Sequence, residues 1–388
     1  LDWSSTSPGS MLGITGSARV AHSITASIPN DLPWLLCKAL WQDPAHSPTM
    51  DIRQMRAYEI RSPDGIDALI LAERDAPEPG PGEVRVRVRA SAVNYRDLAT
   101  IEDPVPRGIR YPTVPNSDAA GEVVALGEGV TSLALGDRVA SCFFQRWTDG
   151  AITPAAMASA LGGAIDGILV EEVVLAEQGV VSIPTHLDFV AAATLPCAAL
   201  TAWHAVVEFG ALRAGETVLL LGTGGVSLFA LQFAKLLGAR VVLVSGSDEK
   251  IERARGLGAD ACVNYRSNPD WHEQVLTLTD GAGVDLAVEV GGAGTLERSV
   301  ASTCVAGRIA LIGVLTGGEM NPMMIMRKSI RLQGIYVGSR AMFTHMNRAI
   351  AQHRLAPVVD ERFTFENARA AYHTMRAAGH FGKLVIEY

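Results

Sequence analysis

The stretch "LLLGTGGVSLFALQFAKLLGARVVLVSGSDEK", Leu219–Lys250, decides the fold. An apolar run ends in a glycine turn, a helically patterned segment follows, and a second apolar run closes at Ser245. Strand, turn, helix and strand in that order make a βαβ unit of a parallel sheet. Gly222 permits the tight turn, and Gly224 leaves the backbone bare where an anion would approach. The N-terminus of the helix adds free N–H groups and the positive end of its dipole. Ser227 stands where such a turn usually has its last glycine; that position packs helix against strand, and Ser is only slightly larger. The turn therefore reads as a site for a dinucleotide pyrophosphate.

The end of the second run chooses between dinucleotides. A carboxylate there would bind the ribose 2′-hydroxyl of NAD. "VSGSDEK" offers Ser245, Gly246 and Ser247 instead. Hydroxyls beside a cation suit a 2′-phosphate. Lys250 lies one helical turn on, and Tyr265 and Arg266 end the next short strand. The reading is NADP(H), with Asp248 an alternative ribose partner that more naturally caps the following helix.

Working outward, the chain has two rhythms. Residues 55–185 are rich in short strands broken by Gly and Asp, such as "EVRVRVRASAV", "AAGEVVALGEGV" and "LGDRVAS", which suggests a compact barrel-like β domain. Residues 186–324 alternate strands with helical stretches, the mark of a doubly wound parallel sheet. Residues 325–388 add an edge strand in "SIRLQGIYVG", two helices and the terminal strand "GKLVIEY", and return to the first domain. The fold class is α/β. Residues 1–54 mix Ser, Pro, Gly and Trp without clear periodicity and read as an extension of unassigned role.

Composition narrows the function. The 388 residues are 48% hydrophobic and carry a net charge of −8, which argues against nucleic-acid binding. Arg85, Arg87 and Arg89 alternate along one strand and read as a solvated face. The uncharged stretches 189–207 and 217–234 imitate membrane spans, but Pro196 and "GTGG" interrupt them and a buried α/β core explains both. The five cysteines form no CxxC pair, so they read as free thiols of a reducing, cytoplasmic compartment.

From Met55 to Tyr388 the chain resembles a medium-chain dehydrogenase/reductase, nearest the zinc-independent quinone oxidoreductase branch. The resemblance rests on "VNYRDL", "VPNSDAAGEVVALGEGV", "GDRV", "TLPCAALTAWHAV", "GTGGVSLFALQFAK", "LGAD", "VNYR" and "GKLVIEY", in order. It implies a GroES-like β-barrel catalytic domain interrupted by a Rossmann domain, with the active site between them. It also implies a homodimer joined through the Rossmann edge strand. By position, Thr201 and the segment Ile312–Val314 would approach the nicotinamide half. Thr223, Gly224, Gly225 and Val226 would line the pyrophosphate. Ser245, Lys250 and Tyr265 would hold the 2′-phosphate, and Arg340 and Lys383 would be cofactor-facing cations.

The same resemblance tests for zinc. Its alcohol dehydrogenase members hold catalytic zinc with Cys, His and Cys, sometimes with a nearby Glu. Here Asn94 takes the first position, Ser117 and Asp118 the second, and Cys197 alone survives at the third. One thiol with an amide and a hydroxyl is a poor tetrahedral set, so no metal is expected. Without a Lewis acid, conjugated acceptors remain reducible because hydride adds to an enone carbon or a quinone. The expected substrate is a quinone, enone or enal, with Tyr95 the best proton donor and Asn94 an orienting amide. Arg96 and Asp97 read as a structural pair and His204 as a core or surface residue. The substrate wall is expected in Cys142–Trp147 and in the long small-residue loop 151–167. Two rivals stay open: an NADP-dependent alcohol dehydrogenase with an atypical metal site, and a non-catalytic NADPH-binding protein.

Overall fold

The computed structural model describes residues 53–313 and 315–388. It opens with the antiparallel pair β1 (Gln54–Glu59) and β2 (Ile70–Asp75). The long strand β3 (Glu83–Val93) follows and ends at helix α1 (Tyr95–Glu102). Its alternation is physical: Val84, Val86 and Val88 are buried, while Arg85, Arg87 and Arg89 face outward. Those arginines pair with Glu78, Glu172 and Glu122 at 2.6, 3.3 and 2.6 Å, so the row is a self-neutralised face. β4 (Asp118–Leu126), β5 (Arg138–Ser141), the short helix α2 (Pro154–Met157), β6 (Glu172–Ala176) and β7 (Val180–Ser182) complete this part.

The 151–167 segment is pinned rather than free-standing. Leu161 N donates to Phe143 O at 3.0 Å. A Cβ added to Gly167 would lie 2.1 Å from Asn116 O, so two backbones touch there and only glycine fits.

Helix α3 (Phe189–Ala193), a π-helical turn Leu195–Ala199, helix α4 (Leu200–Trp203) and a second π-helical turn His204–Glu208 form one bent rod. Pro196 cannot donate to the helical ladder, and the ladder widens around it. The second domain then runs β8 (Thr217–Leu221), α5 (Gly225–Leu236), β9 (Arg240–Ser245), α6 (Asp248–Gly256) and β10 (Ala261–Asn264). It continues with α7 (Trp271–Leu278), β11 (Val284–Glu289), α8 (Ala293–Ser302), β12 (Thr303–Leu311), α9 (Met323–Arg327) and β13 (Arg331–Gly334). The sheet is parallel, in the order β10-β9-β8-β11-β12-β13. Order reverses beside β8, which places a crevice at the C-terminal end of that strand. β13 is the exposed edge.

Helix α10 (Arg340–His353), β14 (Val359–Thr364), α11 (Ala368–Ala377) and β15 (Lys383–Glu387) carry the chain back. β15 lies antiparallel to β3, with Leu384 opposite Val93. The first domain's sheet reads β14-β15-β3-β4-β5-β7, with β6 also on β3. One apolar core joins both halves, from Phe143 and Phe144 through Leu220 and Phe233 to Phe381 and Val385. This is a GroES-like β domain enclosing a Rossmann domain, the α/β class read from the sequence.

Candidate active site

The glycine turn is built for an anion. Gly222 has φ 71°, a left-handed conformation that favours glycine. A Cβ added to Gly224 would meet no atom within 4 Å, so the backbone borders open space. No side chain caps the start of α5, which leaves its first N–H groups for a ligand. Thr223 and Val226 sit in and just after this turn. Ser227 does more than fill the glycine's place: its Oγ donates to Leu221 O at 2.6 Å and ties the helix to the strand end. These features fit a dinucleotide pyrophosphate.

The far end of the crevice holds the residues expected at the adenosine. Ser245 is buried where β9 ends. Tyr265 packs so closely that a Cβ on Gly246 would fall 2.5 Å from its hydroxyl. Ser247 caps α6 by accepting from Lys250 N at 3.4 Å. The Lys250 ammonium donates to Ala378 O at 3.3 Å and shares its surroundings with Arg253 and Arg266. Burial pulls its pKa below the usual lysine value. Asp248 is engaged elsewhere, accepting from Asn264 Nδ2 at 2.7 Å. His380 also lies here, its pKa lowered by burial and by the Lys383 and Lys250 charges, and its Nδ1 has no partner. Nothing in the sequence motif singled it out.

The C-terminal strand enters between these two features. Gly382 N donates to Thr223 O at 3.0 Å, which stitches β15 to the glycine turn. The next residue, Lys383, was expected as a cofactor-facing cation. Instead it is 3% exposed, and its stem passes Gly225, where an added Cβ would lie 2.6 Å from its Cδ. Its Nζ donates to Val93 O at 2.7 Å and to Asn94 Oδ1 at 2.5 Å.

Lys383 thereby reaches a buried polar nest. Asn94 caps α1, and its N–H donates to Asp97 Oδ2 at 2.9 Å. Asp118, the first residue of β4, is fully buried. It accepts from Ser117 Oγ at 2.7 Å and from Cys197 N at 3.0 Å, an N–H that the π-helical turn presents. Burial pushes Asp118 up to about 6, against the pull of Lys383 and with a further push from Asp97. Asn94 Nδ2 stands close enough to favour the Asp118 carboxylate, yet it lacks a partner in hydrogen-bonding geometry. Burial, then the Asp118 charge, raises the Cys197 thiol, so it stays protonated at neutral pH. Among the described residues, no three His, Cys, Asp or Glu side chains group as a metal site. A neutral thiol, an amide and a hydroxyl are a poor zinc set, and the nest already holds a cation.

Tyr95 opens α1 and is 45% exposed, next to the buried Asn94. Arg96 bonds Asp97 Oδ1, Leu161 O and Gly162 O, each at 3.0 Å, and covers the Phe143 ring at 5.0 Å, so it is a structural bracket. Phe143 and Phe144, expected in the substrate wall, are core residues. They back Tyr336, whose ring meets theirs edge-on at 5.8 and 4.9 Å and whose own face is 46% exposed. Tyr336 follows β13, and the Phe143 ring it meets is the one that Arg96 covers. Sequence reasoning had it inside the edge strand.

Thr201 is buried in α4, which packs on α5. His204 is a core residue: its Nδ1 bonds Val337 O at 2.8 Å, and burial lowers its pKa. Arg340 is not brought to the glycine turn. Its Nε donates to Val180 O at 3.2 Å, and it lines a surface crevice with Ile183, Pro184 and Asn347. Val314 lies outside the described residues, as do residues 1–52.

A glycine turn with the geometry for a dinucleotide pyrophosphate, at the crossover of a parallel sheet, fits a nicotinamide-type oxidoreductase. Comparison with known proteins agrees. Residues 80–185 match the alcohol dehydrogenase GroES-like domain, and residues 225–352 match the zinc-binding dehydrogenase family. The chain is 40% identical over 336 residues to a zinc-type alcohol dehydrogenase-like protein of Schizosaccharomyces pombe, covering 83% of this chain and 96% of that one. A Sinorhizobium meliloti structure, solved as a candidate alcohol dehydrogenase, superposes with TM-score 0.81 at 41% identity, over 87% of this chain and 99% of that one. A structure named NAD-dependent alcohol dehydrogenase gives TM-score 0.79 at 34% identity, over 86% and 100%. The chain belongs to the medium-chain dehydrogenase/reductase superfamily.

Proposed function

We propose that the protein is an NADPH-dependent reductase of quinones or α,β-unsaturated carbonyl compounds that works without zinc. The carrying observation is the residue set at the metal position: Asn94, whose Oδ1 accepts from the Lys383 ammonium, Ser117, whose Oγ donates to Asp118, and Cys197, whose N–H donates to Asp118. The acid-free turn at Ser245–Ser247, with Lys250, Arg253 and Arg266 nearby, favours the 2′-phosphate of NADP over the bare ribose of NAD.

When bound, the nicotinamide supplies the hydride. The chain's task is to hold the acceptor across the cleft and answer the charge that gathers on its oxygen. The Tyr95 side chain, exposed at the start of α1, donates to that oxygen, and the buried Asn94 amide beside it holds the start of the helix. Lys383 fixes the Asn94 oxygen, and the amide NH2 lies on the side of the buried Asp118. The Tyr336 face, backed by Phe143 and Phe144, gives a planar conjugated acceptor a flat wall.

Two further readings belong to this proposal. The exposed edge of β13 would join two copies into a homodimer. The free cysteines at 142, 197, 262 and 304 suit the cytoplasm. No helix among the described residues is long and apolar enough to cross a membrane.

The test is NADPH oxidation by tag-free protein with enones, 2-alkenals and quinones, with and without chelator. Chelator-resistant turnover is expected. Zinc-dependent alcohol oxidation with no turnover of any conjugated acceptor would sink the proposal.

A further inference from the structure

The chain belongs to a family with a zinc-binding name, yet its nest is charged and full. Four segments meet there: the end of β3 with Asn94, the start of β4 with Ser117 and Asp118, the π-helical turn with Cys197, and the start of β15 with Lys383. A lysine ammonium is a compact point charge with three N–H donors. Two of these serve Val93 O and Asn94 Oδ1. The charge also acts through space on Asp118, Cys197 and Asp97. The stem passes so close to Gly225 that a Cβ there would lie 2.6 Å from its Cδ, so the ammonium reaches the nest along the glycine turn.

Charge balance makes the comparison sharper. A zinc dication with two cysteine thiolates and a neutral histidine sums to zero. One ammonium, Lys383, and one carboxylate, Asp118, buried in the same nest, sum to zero as well. A dication entering this nest would meet a fixed ammonium with a single carboxylate to share. Asp97 is already held by Arg96 at 3.0 Å and by the Asn94 N–H.

We propose that the Lys383 ammonium is the resident cation of the nest: it takes the place and charge of a metal ion, balances Asp118, fixes the Asn94 amide and keeps divalent metals out. This rests on the zinc-free reading above. It adds that the metal is excluded by an occupant, and not only missed for want of ligands. The same lysine is then a positioning residue for the Asn94 amide at the start of α1.

The experiment restores the ligands and varies the occupant. Asn94→Cys with Ser117→His returns a Cys, His and Cys set in the full chain. The same pair is then combined with Lys383→Met. Cobalt(II) is titrated into wild type and both variants, read by thiolate-to-cobalt absorption, and zinc content is measured by mass spectrometry. With Lys383 present, cobalt binding is expected to be weaker by about 100-fold than with Lys383→Met. Equal affinity in the two variants overturns the inference, as does no binding in the Lys383→Met variant. Folding of the variants does not limit the test, because the native chain has its own readout. Its 15N-labelled Lys383 ammonium should give a slowly exchanging signal that Lys383→Met lacks, and a fast-exchanging ammonium overturns the inference. One zinc per wild-type chain that is required for turnover would instead defeat the zinc-free reading itself. Zinc-free wild type with equal affinity in the two variants would defeat this inference alone.

Discussion

Lys383 Nζ is hydrogen-bonded to Asn94 Oδ1, and that bond links the C-terminal strand to the first helix of the catalytic domain. The Asn94 amide lies between the cation and the buried carboxylate of Asp118. Removing either charge strands the other. Asp118→Asn should destabilise the fold by about 3 kcal/mol, because an uncompensated buried charge is the costly case. Adding Lys383→Met should recover part of the loss. A double-mutant cycle by urea unfolding reads the coupling, and additive losses would remove the pair from the account.

At the adenosine end, Lys250 offers its charge beside Ser245 and Ser247. Lys250→Ala should raise the KM for NADPH about tenfold, the order of one lost charge-assisted bond, and leave that for NADH unchanged. Initial rates with both coenzymes check this. Equal losses on the two would show that the lysine does not meet a 2′-phosphate.

In the cleft, Tyr95 and Tyr336 should separate by kinetic parameter. Tyr95→Phe removes a donor to developing charge and should lower kcat about 100-fold with little change in KM. Tyr336→Ala removes a wall and should raise KM for bulky planar acceptors more than for small enals. Steady-state kinetics on one quinone and one short enal decides both.

Ser227 makes a prediction about stability. Its Oγ holds Leu221 O inside the strand–helix junction. Ser227→Ala should cost about 1 kcal/mol, and Ser227→Gly about 1 kcal/mol more through helix propensity. Thermal unfolding measures both. A neutral Ser227→Gly would make the hydroxyl an accident of packing.

Acid should loosen the rod that carries Cys197. His204 is buried, neutral and bonded to Val337 O, with its folded-state pKa below the ordinary histidine value. As pH falls through about 6.5 the unfolded chain takes the proton first, so stability drops with pH towards the lower folded value. His380 has the same sign. Tm measured from pH 8 to 5 should fall, and His204→Gln should flatten part of the slope.

Legibility followed periodicity. The parallel sheet was readable because each apolar run was bounded by turn residues and by helices of ordinary length, and β8 to β11 lie where the pattern put them. The π-helical turns were not: a proline break marks a disturbance in a helix without saying which way the next N–H will point. At the site, Gly222 and Gly224 were legible because backbone conformation and bare space demand glycine. Lys383 reads from the sequence as a cofactor-facing cation; its stem passes the glycine turn, while its Nζ bonds Val93 O and Asn94 Oδ1, an end point set by contacts far away in the sequence. The end point of Arg340, at Val180 O, was no more legible. Phe143 and Phe144 looked like a wall, yet large aromatics more often fill a core than face a cleft.

The pairing of Val93 with Leu384 also sets an order of assembly. The central strand of the outer domain closes on a partner some 290 residues downstream, with the whole nucleotide-binding half lying between. That half pairs its strands only among themselves, so it can condense while the outer sheet still lacks β15. Loop-closure entropy is then lowered, because a folded insert brings its two ends together before the last strand docks. The enclosing domain, first along the chain, is thus expected to finish last, in the same event that delivers Lys383 to its seat, an order that pulse-labelled hydrogen exchange during refolding would read.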